Sequence, residues 1–405
     1  MMPFKPSRKR LLSAALGFTA LALALLAVAP RNFHRTRAAD VAAGGSAPET
    51  GPNPAESSSG PSPDGSQVTS QTSRYTKSLV GRLAGPDFSQ GAITEEQAAE
   101  WKQTLQDLTD QGTNSVAAIR EFLAQNIDLD FTSNASVNLL GQSSLRLALI
   151  NALSQIGGPE ATAALFETLN TSALPAEIQN LAQALEQLAP GQYRQQSLKA
   201  AVDVLNLATS GRLPGDLDVG PLFKLLQTYG DSGTASALEQ FAAPYKYYAM
   251  LALAALPDGQ GLPRLVRQTQ NMDDPIKQEF AIQMLAQIAA QYPAAAVTLL
   301  QQAGANQISD STWRKVAIAL AGDQYQIGQP PADSFDAGGN PPAGLKTFHI
   351  DTNNQNFFSV PLDPDDHIRE RLALIDQLLH ATGSNALAQE LLQGAQANLA
   401  TVATN

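Results

Sequence analysis

The feature that most restricts the fold is a pair of short apolar stripes joined by a break. Residues 145–169 read LRLALINALSQIGGPEATAALFETL. Leu145, Leu149, Leu153 and Ile156 recur at helical spacing, Gly157-Gly158-Pro159 ends that helix and starts another, and Ala161, Leu165 and Leu169 form the second stripe. Two helices this short cannot shelter their apolar faces alone, so they need further pairs stacked against them. The pattern returns: the helix end at Ile156 has counterparts at Leu188, Leu256, Ile288 and Leu320, at intervals of 32, 68, 32 and 32 residues. A displaced copy, LLQTYGDSGTASALEQF, fills the double interval, after a long helix reaching Ala208 and a loop over 210–215. Leu149 matches Leu181, and Leu153 matches Leu185 and Leu285. Upstream, Thr94-Glu95-Glu96-Gln97 has the form of a capping box before a helix carrying Trp101, Leu105 and Leu108, and a second helix follows over 116–124. These spacings predict an all-α fold, an alpha-solenoid of stacked antiparallel helix pairs over residues 74–325.

The string Arg146-x-Ala148-x-x-x-Ala152-Leu153-x-x-Ile156-Gly157-Gly158-Pro159-x-Ala161-x-x-Ala164-Leu165 resembles the HEAT-like repeat of the short kind first described in phycobilin lyases. The resemblance covers residues 94–325, and the later copies there lack the arginine. It implies a solenoid with a concave surface used for binding proteins. It implies no lyase activity, because the motif is structural and fold alone carries no chemistry.

The pattern stops near Gln326. Residues 326–363 are expected to form a loop excursion, Gly/Pro-rich at first, with two extended runs around Asp351-Thr352-Asn353-Asn354 that suggest a small β-hairpin near 345–360. Residues 364–405 return to helix, with Ile368, Leu372, Ile375 and Leu379 on one stripe and Leu387, Leu391, Leu392 and Leu399 on the next, and are expected to cap the array.

The other end has a different character. Residues 11–29 are uncharged and nearly all apolar and follow Arg8-Lys9-Arg10, so residues 1–30 are expected to be a signal anchor, long enough as a helix for a hydrocarbon core of about 30 Å. Ala27-Val28-Ala29 has the form of a cleavage site, but Pro30 follows it directly, which favours an uncleaved anchor. Residues 31–73, rich in Ala, Gly, Ser and Pro, are expected to be a disordered linker. The expected location is a single-pass inner (cytoplasmic) membrane protein with its body outside the cytoplasm; cleavage would leave a secreted, periplasmic form.

Charge and composition exclude several functions. The chain carries −11, of which residues 1–37 contribute +7, leaving −18 on the rest. Such a body repels phosphate backbones, so no nucleic-acid partner is expected and the membrane is met through the N-terminal helix only. With no Cys and four His, thiolate metal sites, cysteine nucleophiles and disulfides are ruled out. Asp363-Pro364-Asp365-Asp366-His367 could suggest a metal, but acids and Pro are what a helix start favours. No hydrolase, kinase or phosphate-loop motif occurs, so no catalytic, cofactor-binding or metal residue is assigned and no cofactor is expected. Tyr245-Lys246-Tyr247-Tyr248 sets rings beside a cation. One or two of these must be core, and Tyr245, Lys246 and Tyr248 are the candidate partner-binding residues. The expected function is a non-enzymatic scaffold or adaptor for an unidentified protein partner. An enzyme subunit with its site at 326–363, or a secreted solenoid binding a small molecule or polysaccharide, is the alternative.

Overall fold

A computed structural model describes residues 65–85, 93–131, 136–214, 217–271, 273–322, 325–327, 348–350, 358–359 and 367–403. All of them fall in one compact unit, residues 63–405. The signal anchor, the linker up to residue 64 and most of the excursion lie outside the described residues.

Seventeen α-helices make up the described unit, with a small sheet. The first five are α1 (Gly65–Ala84), α2 (Glu95–Asp110), α3 (Thr113–Leu123), the short α4 (Ser136–Leu140) and α5 (Leu145–Ile156). The regular pairs follow as α6 (Gly158–Thr171), α7 (Pro175–Leu188), α8 (Arg194–Thr209), α9 (Gly220–Tyr229), α10 (Ser232–Phe241), α11 (Lys246–Ala255), α12 (Leu262–Thr269), α13 (Pro275–Ile288), α14 (Pro293–Gly304) and α15 (Asp310–Leu320). After the strands β1 (Tyr325–Ile327), β2 (Phe348–Ile350) and β3 (Phe358–Ser359) come α16 (Ile368–Ala381) and α17 (Ala386–Ala403).

The helices form two layers. The first contains α2, α5, α7, α9, α11, α13, α15 and α17, each packed on the next; the second contains α1, α3, α6, α8, α10, α12, α14 and α16. This is the all-α solenoid that the spacing predicts. The apolar stripes supply the packing: Leu149, Leu153, Leu181, Leu185, Leu222, Leu226, Leu253 and Leu285 are all completely buried, each worth about 1.5–3 kcal/mol relative to exposure. From α5 onward, neighbours in the first layer are in more extensive contact than neighbours in the second, and the side of the first layer turned away from the second is its inner face.

Local signals place the helix ends. Thr94 accepts from the Gln97 N–H at 3.2 Å while its own N–H donates to Gln97 Oε1 at 2.9 Å, which completes the capping box. Gly157 ends α5 at φ +65°, a left-handed conformation that glycine enters without strain. Gly261 permits the closest approach: a Cβ there would stand 2.0 Å from the Leu253 carbonyl oxygen.

Two expectations change. Helix α1 begins at Gly65, inside the stretch read as disordered linker to residue 73. Leu79, Val80 and Leu83 are buried at helical spacing, a short stripe that the polar composition before it obscures. The suggested hairpin is a three-stranded sheet instead. Both extended runs exist, but they flank β1 in the order β2-β1-β3, with β2 parallel and β3 antiparallel to it. The partner strand lies before the Gly/Pro-rich stretch, where the sequence shows only three residues of extended potential.

The C-terminal helices also have an unexpected placement. Helix α16 packs on α14 in the second layer, and α17 packs on α15 in the first. The excursion therefore stands where the other repeats have a tight turn between first-layer and second-layer helices.

Candidate functional site: the inner face of the first layer

Each first-layer helix from α5 to α15 has neighbours of its own layer on two sides and second-layer helices behind it, which leaves one side on the inner face. Residues four apart along each helix line that side, at the repeat register. On α5 these are Asn151 and Gln155; on α7 they are Gln179, Gln183 and Gln187. On α9 the row continues as Lys224 and Thr228, and on α15 as Ser311 and Lys315. All of these side chains are partly or fully exposed. Burial lowers the pKa of the half-buried Lys224 ammonium.

The middle of the row is covered. On α11 the register carries Tyr247, Leu251 and Ala255, and residues 249–254 are all buried. On α13 it carries Glu279, Gln283 and Gln287, and residues 280–289 are all buried. Strand β3 lies against α11. Helices α9, α10, α12 and α13 also pack on α11. Gln283 is 1% exposed, and neither of its amide atoms has a hydrogen-bond partner. At the edge of this region Glu279 bridges to α15. Burial opposes its charge, but the Ser311 hydroxyl at 2.8 Å, the Lys315 ammonium at 3.3 Å and the Thr312 hydroxyl at 3.2 Å together hold its carboxyl below the usual range.

The tyrosine cluster is half-buried and mostly committed to packing. Tyr248 stacks on Phe223 with centroids 5.4 Å apart, and Tyr245 meets the same ring edge-on at 5.7 Å. Tyr247 meets Phe280 edge-on at 5.1 Å, and the Lys246 ammonium lies 5.3 Å above the Tyr247 ring. The cluster ties α9, α11 and α13 together, and Tyr245, Lys246 and Tyr248 each remain partly exposed beside these contacts.

Two buried arginines are the most specific polar devices in the fold. Arg146, 2% exposed, pairs with Glu177 through two hydrogen bonds of 2.5 and 3.0 Å and donates to the Leu123 carbonyl at 2.7 Å. Ser172 adds a 2.7 Å hydrogen bond to the same carboxylate. The Arg146 backbone N–H donates to Asp128, whose pKa is raised by burial. Arg371, also 2% exposed, donates to the carbonyls of Ala319 at 2.8 Å and of Leu320 and Gln287 at 3.4 Å. It thus covers the C-terminal ends of α15 and α13, where unpaired carbonyls and the helix dipole favour a cation. Sequence reasoning missed Arg371, although its signal was present. Residues 146–150 and 371–375 are both Arg-Leu-Ala-Leu-Ile, so the last helix pair repeats the first repeat's arginine.

His367 stands at the N-cap of α16 with its Nδ1 4.0 Å from Glu370, consistent with a helix start; the three aspartates before it lie outside the described residues. Among the described residues no group of three or more His, Asp or Glu side chains could hold a metal ion. Also among them, no helix is long and apolar enough to cross a membrane, and the apolar run 11–29 lies outside them.

No family model and no curated protein matches the chain. A solved structure of a computationally designed self-assembling cyclic protein homo-oligomer is similar at 12% identity, over 84% of this chain and 94% of that one. Its TM-score is 0.14, and the likeness carries no argument.

Proposed function

We propose that this chain is a non-enzymatic helical-repeat scaffold or adaptor, tethered to a membrane by residues 1–30, that binds another protein on the extracytoplasmic side. The observation that carries this reading is the two-layer array, whose first layer presents polar rows on helices α5, α7 and α9. A surface repeated at constant register suits extended contact with a macromolecule more than it suits enclosing a small substrate. The apolar run 11–29 and the basic residues before it support the tether. The short HEAT-like string at 146–165 supports protein binding by resemblance.

The test is crosslinking in cells with the tagged full-length chain, followed by pull-down and mass spectrometry. A reproducible envelope protein, crosslinked to inner-face positions, is the expected result. Recovery of lipid and chaperones alone would sink the adaptor reading.

A further inference from the structure

We infer that the array continues from one copy of the chain into the next, with α17 of one copy packed beside α1 of another in an open, end-to-end assembly. This goes beyond the scaffold reading and does not depend on it.

The first observation is the order of layers at the two ends. Inside the array a second-layer helix packs between two first-layer helices: α6 lies against α5 and α7, α8 against α7 and α9, and α12 against α11 and α13. Likewise α7 and α13 each pack on the second-layer helix before them and on the one after. Among the described residues, α1 is a second-layer helix with α2 after it and no first-layer helix before it. Helix α17 is a first-layer helix with α16 before it and no second-layer helix after it. The two ends are therefore complementary rather than alike. Setting α17 of one copy before α1 of the next completes a helix pair and brings α17 beside α2 and α16 beside α1. That is the set of contacts which α6 and α7 make with α8 and α9. A two-fold dimer would instead set like end against like and complete no pair.

The second observation is charge. Helix α1 carries Arg74, Lys77 and Arg82 and no acid over its 20 residues, in a body that carries −18 beyond residue 37. Helix α17 carries Glu390 and no base over its 18 residues. The helices that would meet are of opposite sign, whereas either one set against its own copy repels.

The third observation is the free faces. Lys77 reaches Glu121 on α3 at 2.7 Å, so Tyr75, Ser78 and Arg82, roughly 100–160° round the helix from it, lie towards the side away from α3. All three are exposed, and Tyr75, at 47%, sets an aromatic ring on this face. Arg82 is held by Glu100 at 3.2 Å, an exposed pair of the kind that contributes little. On α17, Ala386, Glu390, Gln393 and Ala397 form an exposed stripe at helical spacing. Both faces are mostly polar, which suits a reversible contact rather than an obligate one.

The chain has no cysteine, so crosslinking can be directed to chosen sites. Ser78→Cys and Ala397→Cys, both at exposed positions, are introduced separately and together into the full-length chain, which is purified and treated with a short bismaleimide over a range of concentrations. End-to-end assembly expects a ladder of dimer, trimer and higher species from the double variant, a heterodimer from the two single variants mixed, and monomer from either single variant alone. Glu390→Lys should reduce the ladder severalfold, and adding Arg82→Glu to it should restore the ladder, with circular dichroism checking that each variant is folded. Crosslinked dimer from one single variant alone would show a two-fold contact and overturn the proposal. So would a double variant that crosslinks only within itself, the absence of intermolecular product at every concentration, or a ladder that Glu390→Lys leaves unchanged.

Discussion

At the scale of single residues, Arg146 and Arg371 solve one problem in two ways. Both are buried and both donate to carbonyls at the end of an earlier helix, but only Arg146 has a carboxylate partner among the described residues. Removing one member of a buried pair strands the other charge. Glu177→Ala is therefore expected to cost about 3–5 kcal/mol in urea unfolding, while Arg146→Met/Glu177→Leu costs far less than the sum of the single changes. Arg371→Met strands carbonyls rather than a charge, so about 1–3 kcal/mol is expected from the same measurement. Asp128 gives a pH signature. Burial raises its folded pKa, so the folded state holds the proton longer than the unfolded chain. Its contribution to stability therefore declines as pH rises from the ordinary carboxylate range through the raised value, and stays low above it. Asp128→Asn keeps the acceptor for the Arg146 N–H and should remove that decline, as read from unfolding midpoints across pH. The arginine in the first repeat was legible because it sits in a recognisable string. Arg371 was not read, because the excursion displaces it from the register in which copies were compared.

At the scale of elements, close packing depends on what is missing as much as on what is present. Gly261 lets the turn before α12 pass over the end of α11, with no room for a methyl group beside the Leu253 carbonyl. Gly261→Ala should destabilise by about 1–3 kcal/mol, checked by thermal melting, because backbone must move to accept it. The excursion stands where other repeats have a turn, and α16 reaches its place through packing on α14 and the Arg371 hydrogen bonds. Replacing residues 328–347 with a short Gly/Ser link should therefore leave α16 and α17 docked, with their amide exchange protection retained; loss of protection in both helices would show that the excursion holds them. Helix existence in the repeats followed directly from apolar spacing. Strand pairing did not, because three-residue strands gain their identity from the chain they meet rather than from their own pattern.

At the scale of the whole molecule, the chain combines an acidic body with a contact pattern that runs mostly between successive repeats. Self-repulsion among like charges is screened by salt, so melting temperature should rise between low and physiological ionic strength. A fall would show that attractive pairs such as Arg194–Glu186 and Lys77–Glu121 outweigh the net charge. Because neighbours dominate, a destabilising change such as Glu177→Ala should weaken hydrogen-exchange protection most in the helices around α7 and less towards α17.

The sequence by itself determined that the body is an array of short helix pairs, because apolar spacing, glycine breaks and a repeat interval are local properties that survive without coordinates. It also carried the apolar run and the basic residues before it, on which the tether is proposed. Only the tertiary structure decided which helices share a layer, that the row is buried on α11 and α13 but exposed on α5, α7 and α9, and that the tyrosines are spent largely on packing. Those outcomes depend on which distant elements meet, and a polar row on one helix reads as an ordinary solvated face until its neighbours are shown to carry the same row in register.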